Sequence, residues 1–207
     1  MSRMINIALT AVVVLIIVIT GVLGYMYFRS GSDVGSKLQW DREQWQEQVD
    51  QRPDDALARS NLGAVYLDIG DTEAAIEQLQ IAVELAPEGY TYLNKLGLAY
   101  MEDGQMDAAL GAFIKAHDLY PRGEKFTVSF LIAQIYWDKG DVALAKDYAQ
   151  QSIADNEVTW NSHYLLGQIM EREGDLAKAG QEYQMAAKFN PSDEELQQAI
   201  KRVSGQV

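Results

Sequence analysis

The sequence predicts an all-α protein: a stack of four helix pairs preceded by one N-terminal transmembrane helix. Three observations carry that prediction. Pro53, Pro87 and Pro121 stand 34 residues apart, and Pro191 comes 70 residues later, room for two more units with a little slack. Within each unit a glycine precedes a polar residue, at Gly70-Asp71, Gly104-Gln105, Gly140-Asp141 and Gly174-Asp175. Finally, residues 5–28 form a run of 24 residues without a charge.

The N-terminal run comes first. About 20 apolar residues cross the hydrocarbon core as a helix. Residues 5–28 exceed that, with Asn6 the only strongly polar side chain and Tyr25 and Tyr27 placed for the far interface. A cleaved signal has an apolar stretch of about 7–15 residues and a small-x-small cleavage site. Gly21-Val-Leu-Gly24 matches that poorly and is followed by more apolar sequence, so an anchor is expected. Arg3 flanks one side and Arg29, Lys37 and Arg42 the other, so the positive-inside rule does not choose between the two orientations. The short tail, residues 1–4, favours an uncleaved signal that delivers the rest of the chain across the membrane, so the repeats are expected to be extracytoplasmic.

Residues 29–37, rich in Gly and Ser, read as a flexible linker. Residues 38–52 read as a lead-in helix with Leu38, Trp45 and Val49 on one face, ended by Pro53. Trp40 falls on another face. The lead-in helix is expected to cap one end of the stack.

The units span about 53–87, 88–121, 122–156 and 157–191. Each is expected to hold a helix, a turn at the Gly and a second helix that stops near the Pro. The Gly supplies the positive φ of a helix end, and the Asp after it caps the next helix. Five residues after each Gly stands Ala75, Ala109, Ala145 or Ala179; seven before it stands Gly63, Gly97, Ala133 or Gly167. Small residues at those points let two helices approach closely. A single helix pair cannot bury its apolar face, so the units must stack. Residues 192–207 read as a terminal capping helix and tail. Its stripe is Leu196, Ile200 and Val203, and Ser192-x-x-Glu195 is the signature of a capping box.

These residues resemble the tetratricopeptide repeat (TPR) family over about residues 53–191. The first unit carries Leu62-Gly63, Tyr66, Gly70, Ala75, Leu79, Ala82 and Pro87 in the family's order. The second carries Leu96-Gly97, Tyr100, Gly104, Ala109, Phe113, Ala116 and Pro121 and matches most fully. The third keeps Tyr136, Gly140 and Ala145, but has Ala133 for Gly, Ser152 for Ala, no closing Pro and two extra residues. The fourth keeps Leu166-Gly167, Gly174, Ala179, Tyr183, Ala186 and Pro191, with Met170 where Tyr is usual. The resemblance implies a right-handed α-solenoid whose first helices line a concave groove. Groove positions would be Leu57, Ser60 and Ala64, then Thr91, Asn94, Leu98 and Met101. Phe130, Gln134 and Trp137 come next in the third unit, and Asn161, Tyr164, Gln168 and Arg172 in the fourth. Asn and Gln suit an extended main chain, and Phe130, Trp137 and Tyr164 suit anchor pockets. The alternative for Phe130 and Tyr164 is packing between neighbouring helices. The family's subclass that reads chaperone carboxylates uses Lys, Arg and Asn in the groove, and Lys95 is the only basic match here.

Composition narrows the function. The formal charge is −13, and all 30 acidic residues lie at or after Asp33. A nucleic-acid binder needs a basic surface, so nucleic acid is excluded as a partner; a neutral or basic polypeptide fits. With no cysteine, disulfides and thiolate chemistry are excluded. His117 and His163 are the two histidines and lie at no ligand spacing, so neither a metal nor a cofactor is expected. Ser162 beside His163 is no catalytic pair, because adjacent helix positions point about 100° apart. The glycines are spaced as helix stops, not as a phosphate cradle. An enzyme is therefore not expected. A membrane-anchored protein-interaction module, acting as scaffold or assembly factor, is; a structural subunit of a membrane complex is the alternative.

Overall fold

The computed structural model describes residues 34–121 and 123–205. The chain divides between Pro53 and Asp54 into two units. In the first, residues 34–51 form helix α1, so the last four residues read as linker are helical. Trp40 is 59% exposed and Trp45 half-buried. The proposed membrane helix, residues 5–28, lies outside the described residues. Among those described, no helix is long and apolar enough to cross a membrane.

The second unit is built from helices α2 (Ala56–Ile69), α3 (Thr72–Leu85), α4 (Tyr90–Glu102), α5 (Met106–Leu119), α6 (Phe126–Asp138), α7 (Val142–Asp155), α8 (Trp160–Arg172), α9 (Leu176–Phe189) and α10 (Glu194–Ser204). Each packs on its neighbours in sequence, and α6 also meets α8 across the intervening α7. This is the all-helical solenoid expected, with no strand among the described residues.

The turns form as the sequence requires. Gly70, Gly104, Gly140 and Gly174 adopt φ of 86°, 76°, 81° and 83°, a region closed to most side chains. Asp71, Asp141 and Asp175 then cap α3, α7 and α9, each accepting the amide three residues on at 3.2 Å. Gln105 makes no such bond at α5. The two extra residues of the third unit fall in the turn before α6. There Gly123 takes φ 83° and donates its amide to Asp155, while Lys125 reaches the His117 carbonyl.

Glycines inside the first helices have a different cause. A Cβ on Gly97 would lie 2.6 Å from the Phe113 ring, and one on Gly167 would lie 2.5 Å from Tyr183. Those rings are fully buried. The pairs lock each first helix onto its second.

Burial runs as a chain of clusters across the repeat boundaries. Leu79, Leu96 and Ala99 join the first two units. Leu93, Phe113, Val128 and Ile132 join the second to the third. Ala133, Ala149, Leu165 and Ile169 join the third to the fourth, and Met170, Tyr183, Leu196 and Val203 join the fourth to α10. Each fully buried Leu or Phe contributes roughly 1.5–3 kcal/mol. Because those contributions come from neighbours, no unit is stabilised by its own contacts alone.

Two local expectations are corrected. Asp193, not Ser192, caps α10: its carboxylate accepts the Leu196 amide at 2.9 Å and the Asn190 side-chain amide at 3.3 Å. A carboxylate facing the positive end of a helix is a stronger acceptor than a hydroxyl. Ser60, expected on the groove, is fully buried, its hydroxyl without a hydrogen-bond partner among the described residues; its side chain is too short to reach the surface that Phe130 and Tyr164 reach from the matching position.

Candidate functional site

The first helices of units three and four lie side by side, and their side chains wall a cleft of about 330 Å³. From α6 come Phe130, Gln134 and Trp137, spaced to share one face. From α8 come Asn161, Tyr164 and Gln168. Six of the residues read as groove positions thus surround one cavity. Arg172, one turn beyond Gln168, holds its guanidinium 5.3 Å from the centre of the Trp137 ring.

The aromatic residues are half-buried and serve two ends. Phe130 and Trp137 pack on Ala133, Ala145 and Leu165, while Tyr164 packs on the α9–α10 cluster with its ring 5.7 Å from Tyr183. Packing between helices and presentation to the cleft are one arrangement, since the same three rings touch the core clusters and border the opening. Burial raises the Tyr164 phenol pKa, and the Glu195 and Asp193 charges push it the same way, so this hydroxyl stays protonated as a donor.

Five further lining residues escaped the sequence reading, among them Leu165, buried in α8. Trp160 opens α8, Asp138 ends α6, and Asp193 and Glu195 arrive from the start of α10. The capping helix is therefore part of the wall. Its only sequence signal, the Ser192–Glu195 pattern, points to helix capping.

Asn94, Leu98 and Met101 do not join the cleft. Leu98 and Met101 lean on the cluster around Leu93, Phe113 and Ile132. The side-chain oxygen of Asn94 is buried without a hydrogen-bond partner among the described residues. Leu57 is 56% exposed. Lys95 donates to Asn61 at 3.3 Å, and burial lowers its pKa.

The histidines are held by other groups. His163 is buried in α8, with Nδ1 2.7 Å from Glu182 and Nε2 3.2 Å from the Glu157 carbonyl. His117 meets Tyr148 edge-on at 5.5 Å. Among the described residues no three His, Asp or Glu side chains are grouped to hold a metal.

The tetratricopeptide repeat family model matches residues 61–124 and 130–194. The chain belongs to this family. No curated protein matches it in sequence. Solved TPR-like structures resemble it in fold. The pilF protein of Pseudomonas aeruginosa is 18% identical with a TM-score of 0.73, over 83% of this chain and 79% of that one. MamA is 19% identical with a TM-score of 0.70, over 76% and 91%. YrrB, a TPR protein with an unusual peptide-binding site, is 18% identical with a TM-score of 0.66, over 78% and 82%. TPR domains are protein-interaction modules, and this chain carries that fold across its four repeats.

Proposed function

We propose that this TPR protein is anchored in a membrane by residues 5–28 and holds a polypeptide segment of another protein in the α6–α8 cleft, as a scaffold or assembly factor. The observation that carries the reading is the cleft. Half-buried aromatic rings alternate there with Gln134, Asn161 and Gln168, whose amides pair with an extended main chain while the rings anchor side chains. YrrB, of like fold, is a TPR protein with a peptide-binding site. The 24 uncharged residues of the N-terminal run support the anchor, and an extracytoplasmic repeat domain is part of the same proposal. The surplus of acidic residues favours a neutral or basic partner.

Site-specific photocrosslinking from Gln134 in intact membranes tests the reading. A discrete set of crosslinked proteins is expected, and Trp137→Ala and Tyr164→Ala should each reduce it several-fold. Unchanged crosslinking in both variants removes the groove as the site. Protease protection in spheroplasts tests the side of the membrane: repeats digested from outside support the proposed orientation, and protected repeats reverse it.

A further inference from the structure

The cleft has a charge pattern that its aromatic walls do not explain. Asp138 is the last residue of α6, where the helix's carbonyl end disfavours a negative charge. Its neighbour Lys139 is turned to Asp107 instead. Glu195 stands on the opposite wall, in the first turn of α10. Neither Asp138 nor Glu195 takes an ion pair or side-chain hydrogen bond from the described residues, whereas both Asp193 oxygens are occupied. Two carboxylates therefore face one aromatic cleft with acceptors to spare. The Trp137 indole, which lines the same cleft, already stacks on a guanidinium, that of exposed Arg172. An electron-rich ring face flanked by carboxylates attracts a cation through both its quadrupole and its charge.

We infer that the α6–α8 cleft takes the cationic head of an arginine or lysine side chain on the partner polypeptide, stacked among Phe130, Trp137 and Tyr164 and paired with Asp138 and Glu195. This rests on the polypeptide reading above and names its anchor. The cleft volume of about 330 Å³ lies at the low end of the roughly 300–1,000 Å³ of ligand pockets, a size for one long side chain and its flanking backbone. Gln134, Asn161 and Gln168 border the same opening and meet that backbone. Competition between the incoming cation and Arg172 for the indole leaves Arg172 free to swing outward, since it is exposed.

A displayed library of random decapeptides, selected on the purified full chain, tests this. Enrichment of sequences with one fixed Arg or Lys beside neutral residues is expected. Replacing that Arg in a selected peptide by neutral, near-isosteric citrulline should weaken binding about ten-fold. Against the Asp138→Asn/Glu195→Gln chain the same replacement should cost less than about two-fold, because the charges it answers to are gone. A parallel Lys peptide separates guanidinium stacking from simple charge pairing. Enrichment of neutral or acidic anchors overturns the inference and leaves the peptide groove standing. An equal citrulline penalty on the double variant also overturns it. No enrichment at all removes the groove and the inference together, as do dimers of the chain that no peptide dissociates.

Discussion

The second and third repeats of this chain are built to one plan and do different things with it. Asn94, Leu98 and Met101 in α4 match Phe130, Gln134 and Trp137 in α6 when the helices are aligned on Gly97 and Ala133. In the second repeat, apolar residues take the two later positions and turn onto the core formed with Phe113 and Ile132. In the third, aromatic and amide residues occupy the same positions and open a cleft with α8. The repeat that follows the family pattern most fully adds stability to the stack. The repeat that departs from it supplies one wall of the cleft. A pattern residue is one whose partner is fixed by the fold, so a departure is where the sequence is free to serve something outside it.

The largest expected effect tests the regular repeat. Phe113 is fully buried against Gly97, which has no side chain to fill the space. Phe113→Ala should cost about 4 kcal/mol in urea unfolding. The variant should still capture the partner where it remains folded, because the cleft lies on α6, α8 and α10. Loss of capture by a folded Phe113→Ala chain would join the two repeats into one functional unit and break the contrast.

The next effect tests how the irregular repeat makes good its departures. Ser152 stands where the family has Ala, and its hydroxyl donates to the Phe126 carbonyl at 2.7 Å while lying 2.8 Å from Ser162 Oγ. That knot joins α7 to the start of α6 and to α8. Ser152→Ala, a return to the family residue, should destabilise by about 2 kcal/mol, since it leaves buried polar atoms unpaired. Adding Ser162→Ala should recover part of that loss. A neutral or stabilising single substitution would show that the departure is incidental.

Most of the stack was legible in the sequence, because its determinants are local. A glycine that must take positive φ, or must admit a ring at 2.5 Å, leaves a mark at one position, as at Gly140 and Gly167. The cleft was half legible. The family resemblance, carried over position by position along α6 and α8, put six residues on two facing helices. Asp193 and Glu195 were missed because they reach the site only through the packing of α10 on α9, which no local pattern encodes. Ser60 went the other way: it shares a helix position with Phe130 and Tyr164, but side-chain length, not position, decides what reaches the surface.

The dependence of the cleft on α10 gives a smaller, pH-linked effect. Arg202 of α10 grips Glu171 of α8 through two bonds of 2.7 and 2.8 Å, and Tyr183 donates to the same carboxylate at 2.8 Å. Chiefly through Arg202, the Glu171 pKa is held below the ordinary glutamate value. A carboxylate stabilised in the folded chain contributes above its unfolded pKa of about 4.3 and loses that contribution as pH falls through the lower folded value. With Arg202 half-exposed, the contribution is about 1 kcal/mol. Urea titrations of the parent and Glu171→Gln should differ by that amount at pH 6 and converge toward pH 3. A gap that persists in acid would assign the effect to packing. The same loss should loosen the α10 wall of the cleft and leave the α4–α5 repeat unaffected.

The smallest effect reverses the contrast, because the most regular repeat has the poorest helix start. Asp71, Asp141 and Asp175 cap their helices with a carboxylate, whereas Gln105 gives α5 no side-chain cap and donates instead to Asp103 at 2.7 Å. Gln105→Asp should place an acceptor within reach of the Ala108 amide, as Asp71 does for Ala74. An N-terminal cap contributes about 1 kcal/mol. The exposed bond to Asp103 is lost, and a third carboxylate joins Asp103 and Asp107, so a net gain of about 0.5 kcal/mol is expected. The gain should grow with added salt, which screens the repulsion between the carboxylates more than it weakens a short hydrogen bond. A destabilised variant whose deficit persists at high salt would mean that the α5 turn is shaped for the longer glutamine, and that this repeat carries a local departure of its own.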